Sequence, residues 1–464
     1  MLKNKAYLEV LEKIRELVGH EHFTDTYEDR ICYSYDATLD EGMPDAIVFP
    51  GNTEETAQIM KLANEAGMPV TPRGAGTGLS GGSVSKKGGL VMVLCRLNHI
   101  LEINSQDFYA VVESGVITQA LNDAVAERGL MYPPDPSSMK TSTIGGNVAE
   151  NAGGLRGLKY GVTNDYVMGL EVVTPEGDIL NTGTRTVKTA TGYNVTQLFT
   201  GSEGTLGIIT KITLKLIPAP EHKESVFAIF NDMNDAAKTV ADIIGEGVMP
   251  ATLEFIDHIT INAVEDYKEI GLPRDAGAIL LIETDGVKEA AEKEIARVEE
   301  ICRKHKATKV QMAATEEERE AIWQARRSAL SALARVRPTT ILEDATVPRS
   351  KIPDMVKGVS EIAKKYDITI GNFGHAGDGN LHPTILTDER DKEEFERVEK
   401  AISEIFDLAL ELGGTISGEH GIGSTKAQFM QREVGETGVK VMKQIKKAMD
   451  PKGVLNPGKM FMEQ

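Results

Sequence analysis

Two of the nine histidines in the chain fall within one short window, Gly374-His375-Ala376-Gly377-Asp378-Gly379-Asn380-Leu381-His382-Pro383. Further on, Gly413-Gly414-Thr415-Ile416-Ser417-Gly418-Glu419-His420-Gly421-Ile422-Gly423 sets a carboxylate beside another imidazole. Two imidazoles and a carboxylate are a common ligand set for a divalent cation that keeps positions open for water or substrate. Either stretch alone reads equally well as solvated loop histidines. Together, with glycine around every candidate ligand, they predict a metal site. A third stretch, Trp323-Gln324-Ala325-Arg326-Arg327, lies on a helix patterned for burial by Ile322, Leu330 and Leu333. Adjacent arginines usually form a solvated face, but a guanidinium can also grip a carboxylate with two parallel N–H bonds.

The first half of the chain carries glycine instead of histidine. Pro72-Arg73-Gly74-Ala75-Gly76-Thr77-Gly78-Leu79-Ser80-Gly81-Gly82 clears Cβ atoms, so backbone N–H groups can crowd around a phosphate without a lysine. Gly76, Gly78 and Gly81 imitate a dinucleotide fingerprint, but the context rejects it. The strand-like Leu90–Leu94 follows instead of a helix, and no acid stands near 96–98 to take a ribose hydroxyl. Two more small-residue pieces follow, Pro133–Gly161 and Gly201–Thr210. Three such pieces in one region suggest a long ligand threaded along several turns.

These motifs need scaffolding, and hydrophobic periodicity supplies a sketch of it. Residues 1–20 read as a helix with Leu8, Leu11, Ile14 and Leu17 on one face. Asn52 and Glu55 cap a helix over 53–67. Thr174-Pro175-Glu176-Gly177 signals a hairpin, and 208–216 alternates as a half-buried strand. Pro218-Ala219-Pro220 closes a first domain. From Ser225 on, strand-like pieces at 251–256, 278–283 and 309–313 interleave with helices near 232–246, 287–304 and 316–335, the last capped by Thr315 with Glu318. That order suits an α+β unit, an antiparallel sheet with helices on one face. A helix at 391–412 ends it, and a glycine-rich, then helical tail follows.

In this order the glycine pieces resemble the FAD-binding domain of the vanillyl-alcohol oxidase / p-cresol methylhydroxylase (PCMH) superfamily, over nearly the whole chain. The later motifs resemble its D-lactate / glycolate / D-2-hydroxyglutarate dehydrogenase branch. The resemblance implies an α+β fold: a PCMH-type FAD-binding domain over 1–220, a cap domain with an antiparallel sheet over 221–412, and a segment 413–464 that returns to the first domain. It implies that Arg73, Gly74, Ala75, Gly76, Thr77, Gly78 and Leu79 hold the FAD pyrophosphate. Asp135, Ser142, Gly145, Gly146, Asn151, Gly153, Gly154 and Gly161 line the rest of the cofactor, with Glu203, Ile208, Ile209 and Asn456. It assigns His375, His382 and Glu419 to one divalent metal (iron, zinc or manganese) and His420 to the substrate hydroxyl as general base. It selects Arg326 over Arg327 for the substrate carboxylate.

Departures from the branch narrow the expected substrate. Members acting on D-2-hydroxyglutarate carry a lysine shortly before the aspartate of a strand where this chain has Leu342-Glu343-Asp344, and an asparagine where it has Thr384. Both changes remove grip on a distal carboxylate, which favours D-lactate or glycolate. The histidine through which covalent members attach FAD is absent, so non-covalent FAD is expected.

Composition sets the remaining expectations. With 464 residues, two domains are the starting point. A formal charge of −19 argues against nucleic acid and anionic lipid as partners. No apolar run approaches the length of a membrane span, and the first residues lack a signal-peptide core, which reads as cytoplasmic. The three cysteines, Cys32, Cys95 and Cys302, are too few and too scattered for an iron–sulfur cluster. Electrons must therefore leave to another protein or to a small acceptor. An electron-transferring flavoprotein is expected, with a bifurcating complex as one form of it and an iron–sulfur subunit of a glycolate oxidase as the rival. A third reading, an FAD relay subunit without turnover, fits poorly with the intact histidines and Arg326.

Overall fold

The computed structural model of the chain describes residues 5–313 and 315–462. They form two compact units. The first takes the chain up to Gly153, then Val162–Ala219, then everything from Glu419 on; the second takes Gly154–Gly161 and Pro220–Gly418. Against expected boundaries at 220 and 412, the chain changes unit at Ala219/Pro220 and at Gly418/Glu419. It also lends a short internal segment, 154–161, to the second unit.

The first unit holds two main sheets. One runs in the order Phe23–Thr24, Ala46–Val48, Leu90–Val93, Val70–Arg73, and its last three strands are parallel. The other is antiparallel: Ile100–Asn104, Tyr109–Glu113, Ile208–Lys215, Val167–Val173, Ile179–Gly183. Its last two strands form the expected hairpin, with Gly177 at φ 87° closing the turn onto Thr174. Helix Thr53–Ala66 starts as its sequence demands: Asn52 Oδ1 accepts from Glu55 N at 2.8 Å, and Gly67 ends it in the left-handed region.

Helix Lys5–Val18 departs from its expected stripe. Leu11, Ile14 and Val18 are buried, whereas Leu8 is exposed. Steps of three drift around a helix of 3.6 residues per turn, so Leu8 through Leu17 cannot all face one core. The tail completes this unit, for Leu455 bridges Val70 in parallel register and Val454 and Leu455 join the core around Met60 and Met92.

The second unit is an antiparallel sheet in the order Lys309–Met312, His222–Phe230, Ala278–Gly286, Thr252–Asp257, Thr369–His375, Asn380–Thr387, Thr339–Leu342. Helices cover both faces, where the sequence suggested one. Met233–Gly245, Lys288–Lys304, Ile352–Tyr366 and Lys392–Glu411 build the main core on one side. His258–Lys268 and Glu316–Leu333 cover the other side through Ala263, Val264, Ala325, Ala329 and Leu333. The reason is legible afterwards: strand Ala278–Gly286 opens with apolar residues at consecutive positions, so both faces need a cover. Cys302 sits in the main core as expected, and burial pushes its thiol up to about 12. The expected cap of Glu318 on Thr315 involves a side chain outside the described residues.

Candidate active site

Alternation along three neighbouring strands decides what the second unit can do. Leu253 and Phe255 point into the main core, so Glu254 shares the opposite face with Ile256. Ile370 likewise belongs to the main core and Phe373 to the other side, which puts His375 on the side of Phe373. On the next strand Leu381 and Ile385 face the main core, and His382 faces the other way with Leu386. Register then aligns them: Phe373 pairs with His382, and Gly374 with both Leu381 and Phe255. The helix Glu316–Leu333, carrying Arg326, lies over this same face.

The result is a buried polar row. His375 and His382 stand with ring centroids 5.1 Å apart and planes at 88°. Glu254, fully buried, meets His375 Nδ1 with Oε1 at 2.7 Å and accepts from Arg326 Nε with Oε2 at 2.5 Å. The Arg326 guanidinium also lies 4.7 Å above the Phe373 ring. Burial alone would raise the Glu254 carboxyl, but the charges and hydrogen bonds of His375 and Arg326 outweigh it and hold it below its ordinary range. On the far side of the pair, Asp344 Oδ1 lies 4.0 Å from His382 Nδ1, and Ser417 Oγ donates to Asp344 Oδ2 at 2.9 Å. Two imidazoles, each backed by a buried carboxylate, have the form of metal ligands with their supporting shell. The donor set fits a divalent cation. Thr384, where a dicarboxylate enzyme would carry asparagine, turns its hydroxyl back onto the His382 carbonyl at 3.1 Å.

The first unit gathers the three glycine pieces around one place. A Cβ on Gly74 would stand 2.4 Å from Thr143 Oγ1, so only glycine lets the first loop meet the N-cap of helix Ile144–Glu150. Arg73 turns inward, with Nη1 donating to the Tyr35 carbonyl at 2.8 Å, and acts as a staple of the loop. Asn456 Nδ2 donates to both the Gly82 and Glu203 carbonyls, at 2.9 and 2.8 Å. Ser142 Oγ lies 3.1 Å from Thr118 Oγ1, Asp135 is buried, and Asn151 closes helix Ile144–Glu150 at φ 58°. The side chains of Ile208 and Ile209 pack into two different cores of the unit. Among the described residues, the buried Ser114 Oγ and Asn456 Oδ1 have no hydrogen-bond partner within the protein. Orphaned polar atoms beside a glycine cradle fit an extended polar ligand such as FAD. Gly154 and Gly161, expected beside the same ligand, fall in the second unit.

Glu419 and His420 belong to the first unit, where His420 Nε2 lies 4.0 Å from Glu419 Oε1. Glu203 holds the residues just after them: its carboxylate accepts from Ile422 N at 2.7 Å and from Gly423 N at 2.6 Å. Three acids carry roles that the sequence did not suggest. Glu254 is one, betrayed only by standing within an otherwise apolar strand, and Asp344 is another. The third is Glu150, whose Oε2 is buried without a hydrogen bond. Burial, and then the negative charge of Glu203 and Asp36, push the Glu150 carboxyl well above its ordinary range.

That shift has a measurable consequence. A carboxyl raised in the folded state adds its full stability only below its unfolded pKa, and loses it as pH rises through the folded value. Glu150→Gln is therefore expected to stabilise the chain by about 1 kcal/mol at pH 8 and by much less at pH 5. Thermal unfolding of both proteins at the two pH values checks this. An equal gain at both would show that Glu150 ionises normally.

Known proteins divide the chain in a similar way. Residues 44–183 match the family described as FAD binding domain, and residues 219–460 match the FAD linked oxidases, C-terminal domain. The glycolate oxidase subunit GlcD of Bacillus subtilis (strain 168) is 54% identical over 98% of this chain and 97% of its own length. A D-lactate dehydrogenase of Anaerostipes hadrus is 37% identical over 98% of each chain. Among solved structures, p-cresol methylhydroxylase with substrate bound superposes with a TM-score of 0.81 at 18% identity, over 99% of this chain and 98% of that one. The fold is PCMH-type.

Proposed function

From the premise that the chain belongs to the FAD-linked oxidases and is an FAD-dependent oxidoreductase, we propose that it oxidises a short D-2-hydroxy monocarboxylate to the 2-oxo acid. The observation that carries this reading is the buried row Arg326–Glu254–His375 beside His382, which joins a carboxylate-binding cation to a metal-type histidine pair. Oxidation removes one proton from the hydroxyl and one hydride from C2. Bound FAD supplies the hydride acceptor, and a bound divalent cation lowers the pKa of the alcohol.

The residues divide the remaining work. Arg326 binds the substrate carboxylate, its plane set by Phe373 and its Nε edge by Glu254. His375, His382 and Glu419 ligate the cation. His420 takes the hydroxyl proton, the general-base role that a positioned imidazole can fill. The Gly74–Gly78 loop holds the pyrophosphate of non-covalent FAD, with Asn456 tying Gly82, just beyond that loop, to Glu203.

The missing grip on a second carboxylate favours both short acids over a dicarboxylate, with D-lactate as the first reading. Glycolate has its own support, since the relative at 54% identity is named a glycolate oxidase subunit. Electrons then pass to a partner protein, an electron-transferring flavoprotein in the first reading and an iron–sulfur subunit in the second. None of the three cysteines lies near the others in sequence to hold a cluster, and no described helix is long and apolar enough to cross a membrane.

The test is anaerobic turnover with a dye acceptor. D-lactate or glycolate is expected to reduce the flavin, with D-2-hydroxyglutarate slower by at least about tenfold, the discrimination that one unmade charge contact gives. Chelation should abolish turnover, added cation should restore it, and the flavin spectrum should not change. An enzyme inert to both short acids loses the substrate reading. Full activity after chelation removes the metal.

A further inference from the structure

Glu254 is an expensive residue in its place. It lies in the strand Thr252–Asp257, buried along its whole length, between Leu253 and Phe255. A lone carboxylate there would be strongly disfavoured, and even a paired one is generally no more stabilising than a well-packed apolar side chain. Its two oxygens are both engaged, each with a different functional group. Oε1 takes His375 Nδ1 at 2.7 Å, and Oε2 takes Arg326 Nε at 2.5 Å. The first contact makes Nδ1 the protonated nitrogen and leaves Nε2 as the electron-pair donor for a cation. The second fixes one edge of the guanidinium, while Phe373 at 4.7 Å fixes its plane. The Nη pair is thereby aimed.

We propose that Glu254 is a shared positioning residue, one carboxylate that sets both the metal-binding tautomer of His375 and the substrate-binding edge of Arg326. Cation affinity and substrate-carboxylate affinity then depend on the same side chain. The inference rests on the metal reading given above and adds to it a residue and a linkage. Glutamine cannot replace Glu254, because its single carbonyl oxygen can accept from only one of the two donors and its NH2 would oppose the other.

The flavin-loaded chain, stripped of metal, is titrated with Mn2+ alone, and then with oxalate at saturating Mn2+. Glu254→Gln is expected to weaken Mn2+ binding about 10- to 100-fold and to weaken oxalate binding as well. Arg326→Ala should weaken oxalate but leave Mn2+ within a few-fold of wild type. Adding Glu254→Gln to Arg326→Ala should cost oxalate little more, since residues acting through one contact are not additive. If the glutamine variant does not fold, Glu254→Asp keeps the charge but retracts it by one methylene, and both constants are expected to fall. Wild-type constants for either ligand in a folded Glu254→Gln overturn the shared role, as do wild-type constants in Glu254→Asp. A wild-type chain that binds no Mn2+ removes the metal reading itself, an outcome distinct from both.

Discussion

His420→Ala is expected to lower kcat/KM for D-lactate or glycolate by about 100- to 10,000-fold, the range that a positioned general base supplies. The FAD and metal content should stay at wild-type levels. The variant should fold, because the loop around position 420 is also held by contacts that do not involve the imidazole. Gly421 and Gly423 take φ of 81° and 49°, and the Glu203 carboxylate holds Ile422 N and Gly423 N from across the unit. Alanine at 420 leaves that latch in place. Stopped-flow reduction of the flavin by substrate under anaerobic conditions isolates the chemical step. A reduction rate within threefold of wild type would take the proton-accepting role away from His420.

Arg326→Ala should damage turnover far more than Arg327→Ala, although the two residues are adjacent. Arg326 is 5% exposed and ion-paired with the fully buried Glu254, whereas Arg327 lies on the exposed side of the helix. Losing a desolvated partner for the substrate carboxylate costs roughly 2–5 kcal/mol at the transition state, about 30- to 5,000-fold in kcat/KM. It also leaves Glu254 buried with His375 alone. A surface arginine costs under about 1 kcal/mol. Steady-state kinetics of the two variants, with the flavin content of each, decide the matter. Equal and small effects would mean that the carboxylate is held elsewhere.

Much of this arrangement could be read from the chain, and the parts that could not share one cause. The Asn52 cap, the Gly177 turn and the burial of Cys302 depend on residues within a few positions of each other, and each appears as its sequence implies. The gathering of Gly74, Thr143 and Glu203 was foreshadowed by the recurrence of glycine clusters, and the return of Asn456 only by the family resemblance. Glu254 was invisible because its meaning comes from strand register. Nothing near it in sequence says that it will stand beside His375, and only antiparallel pairing of Thr252–Asp257 with Thr369–His375 does so. The histidine window reads as a loop for the same reason. Its two histidines in fact stand on paired strands, joined by a tight turn, where alternation turns both to one face. Helix Lys5–Val18 shows the opposite limit: a local pattern was present, but a stripe stepping by three was too wide to be a face.

The crossing of the chain between units also dictates a schedule. Synthesis runs from the N-terminus, yet the first unit lacks its last piece until Leu455 has bridged Val70 and Asn456 has reached the Gly82 carbonyl. The glycine cradle is thus made early and finished last. The second unit has the reverse dependence. Its core takes Leu158, and its Asp285 is ion-paired with Lys159 and accepts from the Tyr160 hydroxyl, all delivered long before the strands that receive them. Contacts of such long sequence separation form slowly, because the intervening loops must close first. The cradle is therefore incomplete until residues 455 and 456 have been made and have folded back onto it.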